Sequence, residues 1–410
     1  MAGKARENGE GSIFPYRNGY GAYAWVTTPA GERKRKYVYG KDREVVHAKW
    51  IKLLGEAEAG PVVTSKPKVG SFLLRWLEEV VKPNLAPLTY ATNETFVRLY
   101  IIPALGDLTF AKLTIDKAQK WMNKLATTCQ CCAQGKDARR DVKKQRCCAK
   151  GNCCGQLLSS RSLSDVRACL RNALSEAMRQ ELVSRNAASL IKIPKVSKRQ
   201  RRRKRKRWSA EQAKAFLLSA RQDGDPLYAA YVLIVVQALR KGEALGVTVD
   251  AVDLEDHELD VNLQLQRVGR QLLHRETKTE ASDDTLPLTP LAVAALTERA
   301  VRRELDRKNA GEAWQETGLM FTTRFGTPIE PRNFNRSWNA RCDKAGVPRI
   351  TVHDGRRSCG SLLVELDVHP RVIMKILRHA QMQVTMEIYA EVSTDVTRAA
   401  LRKLSDSLGG

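Results

Sequence analysis

Four short segments in the second half of the 410-residue chain each set a phosphate-handling side chain beside a structural break. In Ala238-Leu-Arg-Lys-Gly-Glu-Ala-Leu-Gly246, Arg240 follows an apolar run and precedes Gly242. Its guanidinium therefore stands at a helix end, where it can fork onto two phosphate oxygens. Glu243 lies one turn further on and could orient it, although a surface Arg–Glu pair is the commoner fate of this spacing. Lys278, in Thr277-Lys278-Thr279, falls in an expected polar hairpin from Leu272 to Leu288. A lysine at a hairpin tip can protonate a leaving oxygen, but a lone lysine in a turn is usually just solvated. In Thr351-Val-His-Asp-Gly-Arg-Arg357, His353 and Arg356 share a helix face, a titratable imidazole beside a fixed cation. Leu377-Arg-His379 follows, with Tyr389 ten residues beyond His379.

The elements that must position these groups follow from periodicity. Residues 208–400 read as an α+β unit of mainly helical mass: an apolar helix from Ala229 to Leu239, a strand from Glu258 to Val268, the hairpin, then helices from Leu291 onward. Upstream, Phe72, Leu73, Trp76 and Leu77 form one apolar helical stripe, and Tyr90, Phe96, Leu99 and Ile102 suggest a second. A further helical block, Ser160 to Leu190, carries Val166, Leu170, Leu174 and Met178. At the N-terminus, alternating runs about Tyr20–Val26 and Arg35–Tyr39 predict a small sheet, followed by a helix from Asp42 to Glu58 that stops at Gly60. Arg33, Lys34, Arg35 and Lys36 beside Tyr37 and Tyr39 suit a DNA groove, and equally a solvated hairpin.

Seventy Lys and Arg against 45 Asp and Glu leave a formal charge of +25, which favours a polyanionic partner, nucleic acid before an anionic membrane surface. The run from Lys198 to Arg207, with Arg201, Arg202, Arg203, Lys204 and Arg205 at its centre, is too densely charged to enter a core and marks a linker. The expected domains are 1–62 (sheet and helix), 67–197 (helical), the basic linker 198–207 and 208–410. No apolar stretch reaches membrane-spanning length and the first residues lack a signal-peptide core, so a soluble cytoplasmic protein is expected.

Seven of the ten cysteines fall between Cys129 and Cys154, within an insert at 128–155. In a reducing compartment such a cluster suggests metal or free thiols rather than disulfides. One structural zinc, on Cys129, Cys132, Cys147 and Cys154, is the favoured expectation.

Arg240 with Glu243, Lys278, His353 with Arg356, His379 and Tyr389 together resemble, in order, the catalytic signature of the tyrosine recombinases, the integrases of phages and integrative elements. Residues 11–58 look like the family's arm-type DNA-binding domain, and Leu88-Thr-Tyr90 through Ile102-Pro-Ala-Leu-Gly106 is similar to its helical core-binding domain. Some actinobacterial integrases look alike in the cysteine insert. The sequence departs from the family pattern at Gly355, where leucine is frequent, at Arg357 in place of histidine, and at Arg378 in place of glycine. Asp283 and Asp284 occupy a turn that is often basic.

The resemblance implies a multidomain, mainly α fold with an α+β catalytic domain, and a 3′-phosphotyrosine formed by Tyr389 without cofactor or ATP. Arg240 and Arg356 would clamp the non-bridging oxygens, His353 accept the tyrosine proton, His379 donate to the phosphate, and Lys278 protonate the departing 5′ oxygen. It also implies duplex DNA with core and arm sites, a homotetramer on DNA, an excisionase, a DNA-bending host protein, and a nucleoid-associated location. Leu401, Leu404 and Leu408 of the C-terminal tail could dock on a neighbouring subunit or pack on their own domain. Two other readings stay open: a type IB topoisomerase that relaxes supercoils, and a catalytically silent DNA-binding regulator. No compact acidic triad favours a metal-dependent transposase.

Overall fold

Alternation near the N-terminus becomes a three-stranded antiparallel sheet, β1 (Phe14–Tyr16), β2 (Gly19–Thr27) and β3 (Arg33–Gly40), in the order β1-β2-β3. The computed structural model describes residues 13–28, 31–62, 67–194, 207–276, 284–389, 402 and 404–408. The chain divides into two compact units, Met1–Arg201 and Arg202–Gly410.

In the first unit, period-two alternation buries Ala22, Ala24 and Val26 of β2 against Val46, Trp50 and Leu53 of α1 (Arg43–Ala59). The opposite face stays open. There Trp25 lies across from Arg35 and Tyr23 across from Tyr37, and the Arg35 guanidinium stands 4.7 Å from the Trp25 ring centroid and 4.9 Å from that of Tyr23.

Helices build the rest of this unit. α2 (Val69–Trp76) runs on through a π segment, Leu77–Val81, into α3 (Lys82–Asn84), and α4 (Pro87–Phe96) runs through Val97–Ile101 into α5 (Ile102–Leu105). The first expected stripe, Phe72, Leu73, Trp76 and Leu77, is buried. The second is displaced: Val97, Ile101 and Leu105 are buried, while Tyr90, Phe96 and Ile102 are only partly covered. The wider π turn changes the rotation per residue and carries the four-residue spacing of Val97, Ile101 and Leu105 inward. α6 (Ile115–Thr127) and α8 (Ser160–Arg179) complete the core, and between them the cysteine insert holds only α7 (Gln130–Ala133) and 3-10 turns. Met178, expected inside, is 40% exposed because Ala177 takes the inward position on α8.

The second unit packs α9 (Ala210–Gln222), α10 (Tyr228–Val235) and α13 (Pro331–Lys344) around Trp208, Phe216, Tyr231, Phe334 and Trp338, all at most 1% exposed. Between α10 and α13 come α11 (Lys241–Gly246), β4 (Val252–Asp253), β5 (Glu258–Val261), β6 (Leu263–Val268), β7 (Gln271–Glu276), β8 (Asp284–Pro287) and α12 (Pro290–Ala310). α14 (Val352–Glu365), α15 (Pro370–Ile376) and α16 (Met382–Tyr389) follow.

The expected strand Glu258–Val268 divides at Asn262, and the hairpin is not Leu272–Leu288. It is β6 with β7, closed by Gly269 and Arg270, where Gly269 adopts φ +56°. β8 pairs instead with β5, in the sheet β4-β5-β8. Among the described residues no helix is long and apolar enough to cross a membrane.

Candidate active site

The site begins where α10 ends. Ala238 turns the chain with φ +53°, and Arg240 then occupies the N-cap of α11. Glu243 closes the cap from inside: its carboxylate accepts from the Arg240 backbone N–H at 2.8 Å and from the Arg240 guanidinium at 2.6 Å. At 3% exposure Glu243 is interior, so the pair is not the surface ion pair that the spacing also allowed. Burial alone would raise its pKa, but Arg378 and then Arg240 hold it below the ordinary carboxylate value.

α14 supplies the next two groups. Its start is fixed by a capping box, with Thr351 accepting from the Asp354 N–H at 3.1 Å and the Asp354 carboxylate accepting from Thr351. His353 and Arg356 then emerge from the first turns. Arg356 is 3% exposed, and its guanidinium donates to the carbonyls of Ala238, at 2.5 Å, and Leu377. It also stands 3.8 Å from Glu243. Burial, then the charge of Arg240, pushes its pKa down to about 9, still cationic at neutral pH.

Gly355 explains one departure from the family pattern. A Cβ there would lie 2.7 Å from the Trp338 ring, so the indole fills the space a larger residue would use. Trp338 itself is held by its Nε1–H donating to Ile350 O at 3.0 Å.

His379 follows α15, its Nδ1 3.0 Å from the buried Thr385 hydroxyl. Desolvation, then Arg356, pushes its pKa down to about 4. The same two causes lower that of His353. Both imidazoles are therefore neutral at pH 7, able to accept or donate one proton each.

Arg240, His353 and Arg356 line one pocket with Lys241, Asn335 and Thr351. His353, Arg356 and His379 line a second with Arg357 and Val384. The structure thus brings together five of the residues singled out from sequence: Arg240, Glu243, His353, Arg356 and His379. Tyr389 packs against the small apolar cluster of Cys359, Ile373, Leu377 and Ile388 beside them. Its hydroxyl donates to Val368 O at 2.5 Å, and burial, then Asp367, raises its pKa.

The catalytic and helical regions are both matched at family level. The Phage integrase family matches residues 206–395, and the Phage integrase, N-terminal SAM-like domain matches 68–126. The chain belongs to the tyrosine recombinases. A "Tyrosine recombinase XerC-like" from Caldanaerobacter subterraneus is 25% identical to this recombinase, covering 92% of this chain and 93% of the relative. An "Integrase" of Streptomyces ambofaciens is 26% identical, covering 89% and 88%. The Tn1549 transposon integrase, solved with a circular intermediate DNA, shares the fold at TM-score 0.60 and 16% identity, covering 82% of this chain and 99% of that one. A lambda integrase tetramer bound to a Holliday junction gives TM-score 0.52 at 15% identity. The mainly helical architecture with an α+β C-terminal unit is that of the family.

Sequence reasoning missed Arg378. It was visible only as a departure from glycine, yet it is 3% exposed and its guanidinium donates to Glu243. Its φ of +45° accounts for glycine being usual there. Lys241, whose ammonium donates to Asn335 at 3.2 Å, was also missed, since nothing but its neighbour Arg240 marks it.

Lys278 lies outside the described residues, as do Arg201, Arg202, Arg203, Lys204 and Arg205. In the N-terminal sheet, Arg33 and Arg35 are on the open aromatic face, while Lys34 and Lys36 pair across from Val26 and Ala24 and so belong to the other face. The expected zinc set of Cys129, Cys132, Cys147 and Cys154 does not form one group. The seven thiols converge instead as Cys129, Cys132, Cys148 and Cys153, and as Cys131, Cys147, Cys148 and Cys154.

Proposed function

We propose that this recombinase cuts and rejoins duplex DNA at specific sites through a 3′-phosphotyrosine at Tyr389, integrating a mobile element into a host chromosome. The observation that carries the reading is the convergence of Arg240, Arg356, His353 and His379 on two pockets that share His353 and Arg356, with both arginines beside the buried carboxylate of Glu243. Two arginines fixed by protein acceptors can meet the non-bridging oxygens of a phosphodiester with little reorganisation, the role that cations play in many phosphoryl transfers. His353, neutral, takes the phenol proton as the tyrosine oxygen bonds to phosphorus. His379, oriented by Thr385, donates its other ring N–H to a phosphate oxygen. Lys278 protonates the departing 5′ oxygen. Because the phosphotyrosine keeps the energy of the broken ester, a 5′ hydroxyl from a partner duplex reverses the step without ATP.

The bond from Tyr389 to Val368 must break before attack, since it holds the hydroxyl on a backbone carbonyl. Residues 1–62 serve as the arm-binding domain, 67–197 as the core-binding domain, 198–207 as the basic linker and 208–410 as the catalytic domain. The open face of the sheet, with Arg33, Arg35, Trp25, Tyr37 and Tyr39, offers cations and stacking surfaces to the arm site. Four chains assemble on two duplexes, and Leu404 and Leu408, 54% and 78% exposed, are available to a neighbouring subunit. An excisionase and a DNA-bending host protein set direction at the nucleoid. No cofactor enters catalysis, and the cysteine insert holds zinc as a structural ion.

Incubation of the protein with a labelled duplex carrying its site, then with a partner site, tests the reading. Recombinant products support it. Supercoil relaxation alone assigns a topoisomerase, and binding without a covalent adduct assigns a silent regulator.

A further inference from the structure

The seven thiols of the insert are divided in a way that one ion does not explain. In each of the two sets, Cys129, Cys132, Cys148, Cys153 and Cys131, Cys147, Cys148, Cys154, all four Sγ atoms lie within 4.8 Å of one another. Cys148 is common to both. Individual separations are 3.6 Å for Cys132–Cys153, 3.7 Å for Cys148–Cys154, 3.8 Å for Cys131–Cys147 and 3.9 Å for Cys129–Cys148. A disulfide needs about 2.05 Å. Four thiolates around a tetrahedral zinc with Zn–S bonds of about 2.3 Å stand roughly 3.8 Å apart along each edge. The observed spacing is that of metal tetrahedra.

We infer that the insert binds two zinc ions in a seven-thiolate cluster, with the Cys148 sulfur bridging them. Two four-coordinate ions that share one ligand require seven donors, and the insert supplies seven. The adjacent pairs, which are poorly placed to serve a single ion, become intelligible. Cys131 and Cys132 go to different ions, and so do Cys153 and Cys154, while Cys147 serves one ion and its neighbour Cys148 serves both. Cys129 and Cys154, assigned to different ions, are 3.9 Å apart, so the two tetrahedra lie against each other.

What surrounds the sulfurs supports a metal core. From Cys132 to Leu157 no aliphatic side chain is buried, so the insert has no hydrophobic interior to hold it. Its one fully buried carboxylate, Asp137, accepts from the backbone N–H groups of Arg146, Cys147 and Ala149 at 2.9–3.2 Å and shapes the loop that presents Cys147 and Cys148. The backbone N–H of Gln156 donates to Cys129 Sγ at 3.3 Å, the bond a thiolate ligand accepts. Two dications against seven thiolates leave negative charge, which Lys136, Arg139, Arg140, Arg146 and Lys150 of the same insert offset. An iron–sulfur cluster places inorganic sulfide between its irons and spreads its cysteine sulfurs more widely than these. Binding releases the thiol protons, and the free energy of binding becomes folding free energy for the insert.

The inference deepens the structural-zinc reading of the insert and is independent of the recombination chemistry. Elemental analysis of the full chain, purified under reducing conditions, should find two zinc per chain. One zinc overturns the bridged cluster and leaves a single-ion site; none overturns both; iron overturns zinc. The cadmium-113 form gives the second readout, which requires no variant: two resonances split by coupling through a shared sulfur are expected, and two unsplit resonances would overturn the bridge. Cys148→Ser should lower the affinity for both ions, whereas Cys153→Ser should release one and leave the other.

Discussion

Arg378 donates to Glu243 from a backbone position with φ +45°, so an ion pair between two residues each 3% exposed is held at the expense of local strain. The same carboxylate fixes Arg240, and Arg240 Nη2 in turn donates to Arg378 O at 3.1 Å. The two arginines thereby constrain each other through one acid and one carbonyl.

Arg378→Gly separates the two effects. Glycine relieves a left-handed backbone worth about 1–2 kcal/mol, while breaking a buried pair costs about 3–5 kcal/mol. Glu243 keeps Arg240, which places the loss at the lower end, so the variant should be destabilised by roughly 1–2 kcal/mol in denaturant unfolding. Arg378→Ala loses the pair and keeps the strain, and must fall further. A glycine variant as stable as the parent contradicts the assignment.

Gly355→Ala tests the packing under His353 and Arg356. In an ordinary helix interior alanine gains about 0.5–1 kcal/mol over glycine. Here its Cβ meets Trp338, and overpacking of this kind costs about 1–3 kcal/mol. Thermal unfolding should therefore show a lower Tm, and a rise would mean the ring yields.

Arg356→Lys keeps a positive charge but cannot donate to Ala238 and Leu377 while also meeting a phosphate. Covalent complex formation should drop by about 100-fold or more, the scale of losing one fixed donor to a developing charge. Duplex affinity, measured by gel shift, should stay within about threefold because other cations supply most of it. Full cleavage activity in the lysine form contradicts the clamp.

The pH profile follows from the two imidazoles. Both have folded pKa values below the ordinary 6.5, His379 at about 4. Their neutral forms are favoured by folding, so the stability they contribute is present above about 6.5 and is lost as pH falls toward 4. Cleavage should hold level from neutral pH down to about 6.5 and decline only below it. A rate already halved at pH 7 would show that the base is not His353 as placed here.

Much of this was legible because catalytic groups sit beside breaks that sequence displays. Arg240 before Gly242, and His353 three residues before Arg356, carry their own spacing; the N-terminal sheet follows from alternation, and α1 from the helical run that stops at Gly60. Tertiary context hid the rest. The β6–β7 hairpin turns at Gly269, whereas polarity marks the stretch from Leu272 to Leu288 instead. The π segment Val97–Ile101 moved the buried stripe without any compositional sign. Arg378 and Glu243 are 135 positions apart, and only the fold makes them partners. The regrouping of the cysteines likewise depends on how the Asp137 loop brings Cys147 and Cys148 back to Cys129.

Tyr389→Phe is the most direct test. Incubated with a labelled duplex bearing the recognition site, the parent protein should yield a denaturation-resistant protein–DNA adduct and the phenylalanine form none, with both binding the duplex equally. A phenylalanine variant that still becomes covalently attached, or still joins two duplexes, contradicts the account.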